Sequence, residues 1–183
     1  MLTELIEQGQ NDLQYLETVA DALDRASTQA EIEEIRSELV VSGFIKYKKK
    51  NDKKQQKLLP PMEYVTTDGF RVLVGRNNMQ NDKLSLKTAS KNDMWLHTQK
   101  FPGSHVIIVS DNKEISDEAI VEAAEIAAYH SKARDAKLVP VDYTYVKHLK
   151  KPQGAPPGKV IYHVYYSVNV TPNKDKIEKM EVK

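Results

Sequence analysis

Two histidines, His97 and His105, stand eight residues apart across a Pro102-Gly103 turn, with Asp93 just upstream. Imidazoles that converge across a turn can ligate a metal, but no third ligand at a recognised spacing completes a site. The stronger reading gives each ring an orienting role: it hydrogen-bonds a backbone group, or a phosphate when protonated. Ser104 lies between Gly103 and His105. A nucleophile needs a base placed by the fold, and a sequence neighbour does not supply one. The sequence holds no Gly-x-x-x-x-Gly-Lys-Ser/Thr or Gly-x-Gly-x-x-Gly loop, no His-Glu-x-x-His and no Gly-x-Ser-x-Gly. It therefore predicts no catalytic residue, no bound metal and no cofactor, and the chain reads as a non-enzyme.

The cations make a better case. Arg71 and Arg76 bracket the end of an expected hairpin, and Lys132 and Arg134 close an expected long helix, where they suit its dipole. Lys147, Lys150, Lys151 and Lys159 surround a Pro/Gly-rich segment at 148–159. Prolines stiffen such a loop, so ordering it on a phosphate backbone costs less entropy. Glycines let backbone amides join the lysines as phosphate donors. Each lysine alone reads as a solvated surface residue; their placement at the ends of elements in one small domain points to nucleic acid. Trp95, the single tryptophan, either fills the core or offers a base a stacking platform. With His97 and His105, these residues form the candidate nucleic-acid-binding set.

The elements that must position them follow from periodicity. Ile6, Leu13, Leu16, Ala20 and Leu23 form a short heptad seam on a helix over 1–26. Thr28-Gln29-Ala30-Glu31 is a capping box opening a second helix, with Ile32, Ile35 and Leu39 on one face and Gly43 as its stop. The two helices form either a local hairpin or the end of a longer coiled coil. They leave a helix–helix partner open through 1–42. Seven lysines in positions 46–57 read as a linker or as a phosphate-neutralising arm, and Pro60-Pro61 marks entry to a new domain. Strands around Asp68-Gly69, a short helix after Asn77, strands at 94–97 and 105–109, a helix from Ser116 to about Ala133, and strands at 143–146, 160–166 and 168–170 follow. The tail beyond Pro172 is expected to fray. The expected fold class is α+β: a mostly antiparallel sheet with one long packed helix, preceded by a helical segment.

Totals set the outer limits. With 183 residues and no cysteine, disulfides and thiolate metal sites are excluded. No apolar run approaches a bilayer span, and Glu4 and Glu7 follow Met1 where an export signal would be basic and then apolar, so the expected address is the cytoplasm. The net charge of +1 hides an asymmetry: residues 1–42 hold ten acidic and two basic side chains, and residues 43–183 hold sixteen acidic and twenty-five basic. A balance of −8 against +9 assigns different partners to the two parts, and phosphate to the second. Charge alone does not choose between DNA and RNA.

The motifs do. Asn77-x-x-x-Asn81-Asp82-x-Leu84, Asp93-Met94-Trp95-Leu96-His97 and Pro102-Gly103-Ser104-His105-Val106-Ile107 occur in order. They are followed by Ala127-x-Tyr129-x-Ser131-Lys132-Ala133 and by Lys150-Lys151-Pro152-x-Gly154-Ala155-x-Pro157-Gly158-x-Val160. Over roughly 62–172 this series resembles the RNA-binding domain of the NFACT family, which includes RqcH, fibronectin-binding and NEMF-like proteins. The resemblance implies four parts: a coiled-coil end at 1–44, a Lys-rich linker at 45–61, the RNA-binding domain at 62–172 and a charged tail at 173–183. It also implies a C-terminal piece of a ribosome quality-control factor that binds obstructed large ribosomal subunits through rRNA and tRNA and supports alanine tailing of stalled chains. A surface adhesin that binds fibronectin is the alternative the family name raises, and a purely architectural module is a third.

Overall fold

The computed structural model describes residues 2–46 and 58–182, so most of the lysine-rich stretch lies outside the described residues. Helices α1 (Leu2–Arg25) and α2 (Gln29–Val41) come first. The capping box forms as expected: the Thr28 hydroxyl accepts from the Glu31 amide at 3.3 Å, and Glu31 accepts from the Thr28 amide at 3.1 Å. Gly43 takes the left-handed φ of +80° that ends α2.

The buried row of α1 is not the expected seam. Leu13 and Leu23 are 61% and 49% exposed, while Tyr15, Val19 and Ala22 are buried against Ile35 and Leu39. The polar partners of the neighbouring face decide this. Tyr15 carries a hydroxyl that donates to Glu38 at 2.9 Å and lies 2.9 Å from the Ser42 hydroxyl, and no leucine could satisfy those groups.

A six-stranded, wholly antiparallel sheet follows, in the order β1 (Met62–Val65), β2 (Arg71–Val74), β4 (Val106–Ile108), β3 (Met94–Thr98), β5 (Val139–Tyr145), β6 (Tyr166–Val170). β1 and β2 are joined through Thr66–Phe70, with Gly69 at φ +91°. The loop is longer than the expected two-residue turn. Residues 160–165, expected as strand, form no strand: their one backbone bridge is Lys150–Ile161, they meet β5 through side-chain bonds such as Tyr162 to Asp142, and β6 begins at Tyr166.

Alternation gives the sheet two working faces. Val72, Val74, Met94, Leu96, Val106 and Ile108 point to α4 (Asp117–Tyr129). The Ser116 hydroxyl caps α4, and Ala123, Ala124, Ala127 and Ala128 are buried on it, small enough to bring the helix axis close. Leu73, Trp95 and Ile107 point the other way, under Leu84, Val160 and Tyr162. Leu84 starts a π-helical turn (Leu84–Thr88) that continues α3 (Asn78–Lys83). The tail does not fray. Asn173 caps α5 (Lys174–Met180), Ile177 is 1% exposed, and Lys176 reaches Glu125 at 3.1 Å.

The acidic helices dock on the basic domain of the same chain. Glu38, 1% exposed, accepts from Tyr15, from Asn78 Nδ2 at 2.9 Å and from the Met79 amide at 3.1 Å. Arg76 pairs with Glu31, and Arg134 with the buried Asp21, each at 2.5 Å. Near this seam His130 is buried with Nε2 2.7 Å from the Tyr64 hydroxyl. Burial, reinforced by Arg25, Arg134 and Arg76, pushes its pKa down to about 3.

Two outcomes are expected. Glu38→Ala should cost about 2–3 kcal/mol in urea unfolding, because it strands donors that are buried with it. Glu38→Gln should cost less, because its Oε1 can still accept from Tyr15 and Asn78 while its amide hydrogens oppose only the Met79 N–H; a Gln variant as unstable as the Ala variant would contradict the assignment. The second concerns pH. The unfolded His130 imidazole takes a proton near pH 6.5 and the folded one only near pH 3. The unfolded state therefore binds more protons in that window, and stability falls as pH drops through it. Between pH 6 and pH 5 the loss attributable to this group is about 1 kcal/mol. The urea midpoint of His130→Gln should show a correspondingly shallower pH dependence.

Candidate nucleic-acid interface

The candidate cations divide into two groups by what their local elements allow. Arg76, at the exit of β2, is drawn to α2: besides Glu31, its Nε donates to the Pro60 carbonyl at 2.8 Å. Arg134, past the end of α4, is held by Asp21 and by the Ser131 carbonyl. Lys151 donates to Asp82 at 2.8 Å and to the Pro156 carbonyl at 2.6 Å, and Lys159 donates to Asn11 of α1 at 2.6 Å. All four are occupied inside the molecule. Arg71 pairs with Glu63 across the β1–β2 ladder, at the surface. Lys132, Lys147 and Lys150 have exposed side chains, and Lys147 lies 4.9 Å over the Tyr145 ring.

The Pro/Gly segment is fixed more by its partners than by its prolines. Asp82 accepts from both Lys151 and the Gly158 amide. Gly158 has φ +83°, and a Cβ there would lie 2.6 Å from Asn78 Oδ1, so only glycine lets the segment close on α3. The lysines of the segment thus sit on a braced edge.

Trp95 is 1% exposed and fills the second face of the sheet; its face is not open to a base. Its indole N–H has no hydrogen-bond partner among the described residues. His97 stacks on it at 5.8 Å and 11°, and His105 meets both rings edge-on. The two histidines do converge, 5.5 Å apart. Asp93 does not join them: it accepts from the Ser110 amide and hydroxyl and from the Ser90 amide. Among the described residues no group of three His, Asp or Glu is arranged to hold a metal. Burial lowers the pKa of both histidines, so the rings are neutral at pH 7 and act through hydrogen bonds, as His105 Nδ1 does with Ser85 at 2.8 Å. Ser104 donates to the Gly75 carbonyl at 2.6 Å and accepts from Arg25, a bracing role.

Between α1 and the second face of the sheet lies a cleft of about 600 Å³. His97 and Lys159 line it, with residues the sequence reading did not single out: Asn11, Gln14, Phe101, Tyr162 and Tyr165. The Phe101-Pro102-Gly103 turn carried a signal in its exposed aromatic. The α1 residues carried none, because nothing local says that a helix fifty or more residues upstream closes over this face. Among the described residues no helix is long and apolar enough to cross a membrane.

Residues 61–164 match the family model of the NFACT protein RNA binding domain, and residues 1–58 match that of the NFACT N-terminal and middle domains. The chain is 46% identical over 182 residues to a Rqc2 homolog RqcH of Streptococcus suis, covering 99% of this chain and 32% of that protein. It is 43% identical over 183 residues to the Bacillus subtilis Rqc2 homolog RqcH, with the same coverage. An archaeal Rqc2 homolog from Methanocaldococcus jannaschii is 25% identical over 99 residues, 54% of this chain and 15% of that protein. The fold superposes with a TM-score of 0.92 on the C-terminal structure of a fibronectin/fibrinogen-binding protein from Streptococcus suis, at 46% identity, over 99% of this chain and 72% of that one. The chain spans about a third of the length of the bacterial relatives it matches. A braced antiparallel sheet with exposed lysines at its loop ends, matched over 61–164 by that model, makes this chain a member of the NFACT family that carries its RNA-binding domain.

Proposed function

We propose that the chain is the RNA-binding part of a ribosome-associated quality-control factor. It binds obstructed large ribosomal subunits through rRNA and tRNA, and so supports C-terminal alanine tailing of stalled nascent chains in the cytoplasm. The observation that carries this reading is the match of residues 61–164 to the NFACT RNA binding domain; identity to RqcH proteins across 99% of the chain supports it. The module works by binding, without chemistry of its own. In support, the Ser104 hydroxyl is given to a carbonyl, and the neutral histidines pack on Trp95.

Phosphate contact falls to Lys132, Lys147 and Lys150, with Arg71 beside Glu63. Lys151, Lys159, Arg76 and Arg134 hold the surface in shape. Filter binding to tRNA and rRNA fragments across a salt series should give log affinity falling about 0.7–0.9 per phosphate neutralised. Lys147→Glu combined with Lys150→Glu should lower that slope by about two. Lys174→Glu, on α5, should leave it unchanged. Absence of binding at low salt, or equal losses from both changes, contradicts the reading.

A second reading, capture of fibronectin, draws on the name of the Streptococcus suis neighbour. It expects immobilised fibronectin to retain the chain at physiological salt. Retention abolished by modest added salt marks nonspecific charge and removes this reading.

A further inference from the structure

The cleft beside α1 has a composition that the phosphate-binding lysines do not explain. One wall is aromatic. Trp95, Tyr162 and Tyr165 form a chain of rings from the core to the surface, with centroids 4.9 and 5.3 Å apart. Tyr165 is 47% exposed and Phe101, across the mouth, is 39% exposed. The opposite wall is polar: Asn11, Gln14 and Thr18 of α1 line it, together with the Glu17 carboxylate. Lys100 and Lys159 line the cleft as well. Lys100 has φ +59°, a conformation that costs a non-glycine residue and persists where the surroundings impose it. Here the Gln99 amide, bonded to the Pro140 carbonyl at 2.8 Å, and the Thr98 hydroxyl, bonded to the Phe101 carbonyl at 3.1 Å, hold the turn.

Flat apolar rings facing amide donors and acceptors, with cations beside them, match the faces, edge and phosphate of a nucleotide. The volume suits one small ligand and is too small for a duplex. Proteins that read RNA sequence do so on bases splayed out of the helix and stacked on aromatic side chains. We propose that this cleft receives a single unpaired RNA nucleotide, its base against Phe101 and Tyr165, its edge toward Gln14, and its phosphate toward Lys100. The proposal rests on the RNA-binding reading and adds to it a place where a bulged or looped-out base is distinguished from a paired one. The exposed lysines Lys147 and Lys150 grip backbone anywhere; the cleft selects where the backbone is gripped.

Trp95 is the only tryptophan, and its ring abuts His97 and Tyr162 at the cleft, so its fluorescence and its single indole N–H resonance report occupancy. The test uses the 183-residue chain and two RNA hairpins, one fully paired and one with a single bulged adenosine. The bulged hairpin should bind about tenfold more tightly, as one stacked base is expected to give. It should shift the Trp95 signals saturably, and the paired one should not. Phe101→Ala and Tyr165→Ala, both at exposed positions, should bring the bulged hairpin down to the paired level without weakening the paired one. Gln14→Ala, on the other wall, should narrow the gap while keeping the helical circular dichroism of the parent chain. Equal binding of the two hairpins by the parent chain, or discrimination that survives the aromatic changes, overturns the cleft assignment and leaves RNA binding standing. Failure of both hairpins and of tRNA to bind overturns both.

Discussion

Glu38 is buried, and its two oxygens accept three hydrogen bonds from two distant parts of the chain: the Tyr15 hydroxyl of α1, and the Asn78 amide and Met79 N–H at the start of α3. A carboxylate removed from water must be saturated by donors, or its desolvation is not offset. That requirement fixes the position of α2 against the sheet domain, and α1 follows through Tyr15. The same rule recurs around it. Asp21 sits between Arg25 and Arg134, Glu31 between its own helix cap and Arg76, and Asp82 between Lys151 and Gly158. Each carboxylate joins segments that are distant in sequence.

The opposed charges of the two parts of the chain therefore have an internal use. The acidic helices face Arg76, Arg134 and Lys159, so part of the positive excess of residues 43–183 is complemented within the molecule. Lys132, Lys147 and Lys150 are among the lysines that remain outward, Lys150 on the loop edge that Asp82 braces through Lys151 and Gly158. A rigid edge loses less entropy on binding than a free one. Cations committed to structure thus serve those left for phosphate.

Much of this was legible in the sequence, for local reasons. The capping box at Thr28, the cap at Ser116 and the alanine face of α4 are short-range patterns, and each appears where its residues predict. The heptad seam misled because it counts apolar residues and ignores polar partners. Tyr15 is buried and Leu13 exposed because Glu38, twenty-three residues away, needs a donor. The tail misled for a related reason: its charges suggested solvent, yet Lys176 is neutralised by Glu122 and Glu125 on α4 while Ile177 fills the core between them. Among the basic residues, Lys132 and Arg134 were expected to close α4 but lie beyond its end at Tyr129, and sequence could not distinguish a lysine that braces from one that is free. That distinction is set by whether a carboxylate lies opposite, as Asp82 does for Lys151.

One strand shows how core and interface are coupled. Along β3, Met94 and Leu96 enter the core under α4, while Trp95 and His97 enter the second face and reach the cleft. A shift of one residue in its register with β5, where Trp95 lies opposite Thr144 and His97 opposite Asp142, would exchange the two sets and destroy both. The opposite wall of the cleft belongs to α1, which is held by Tyr15 on Glu38 and by Asp21 on Arg134. The cleft consequently exists in this form only while the acidic helices are docked. The buried carboxylates that hold the two parts together also set the shape of the cleft between them.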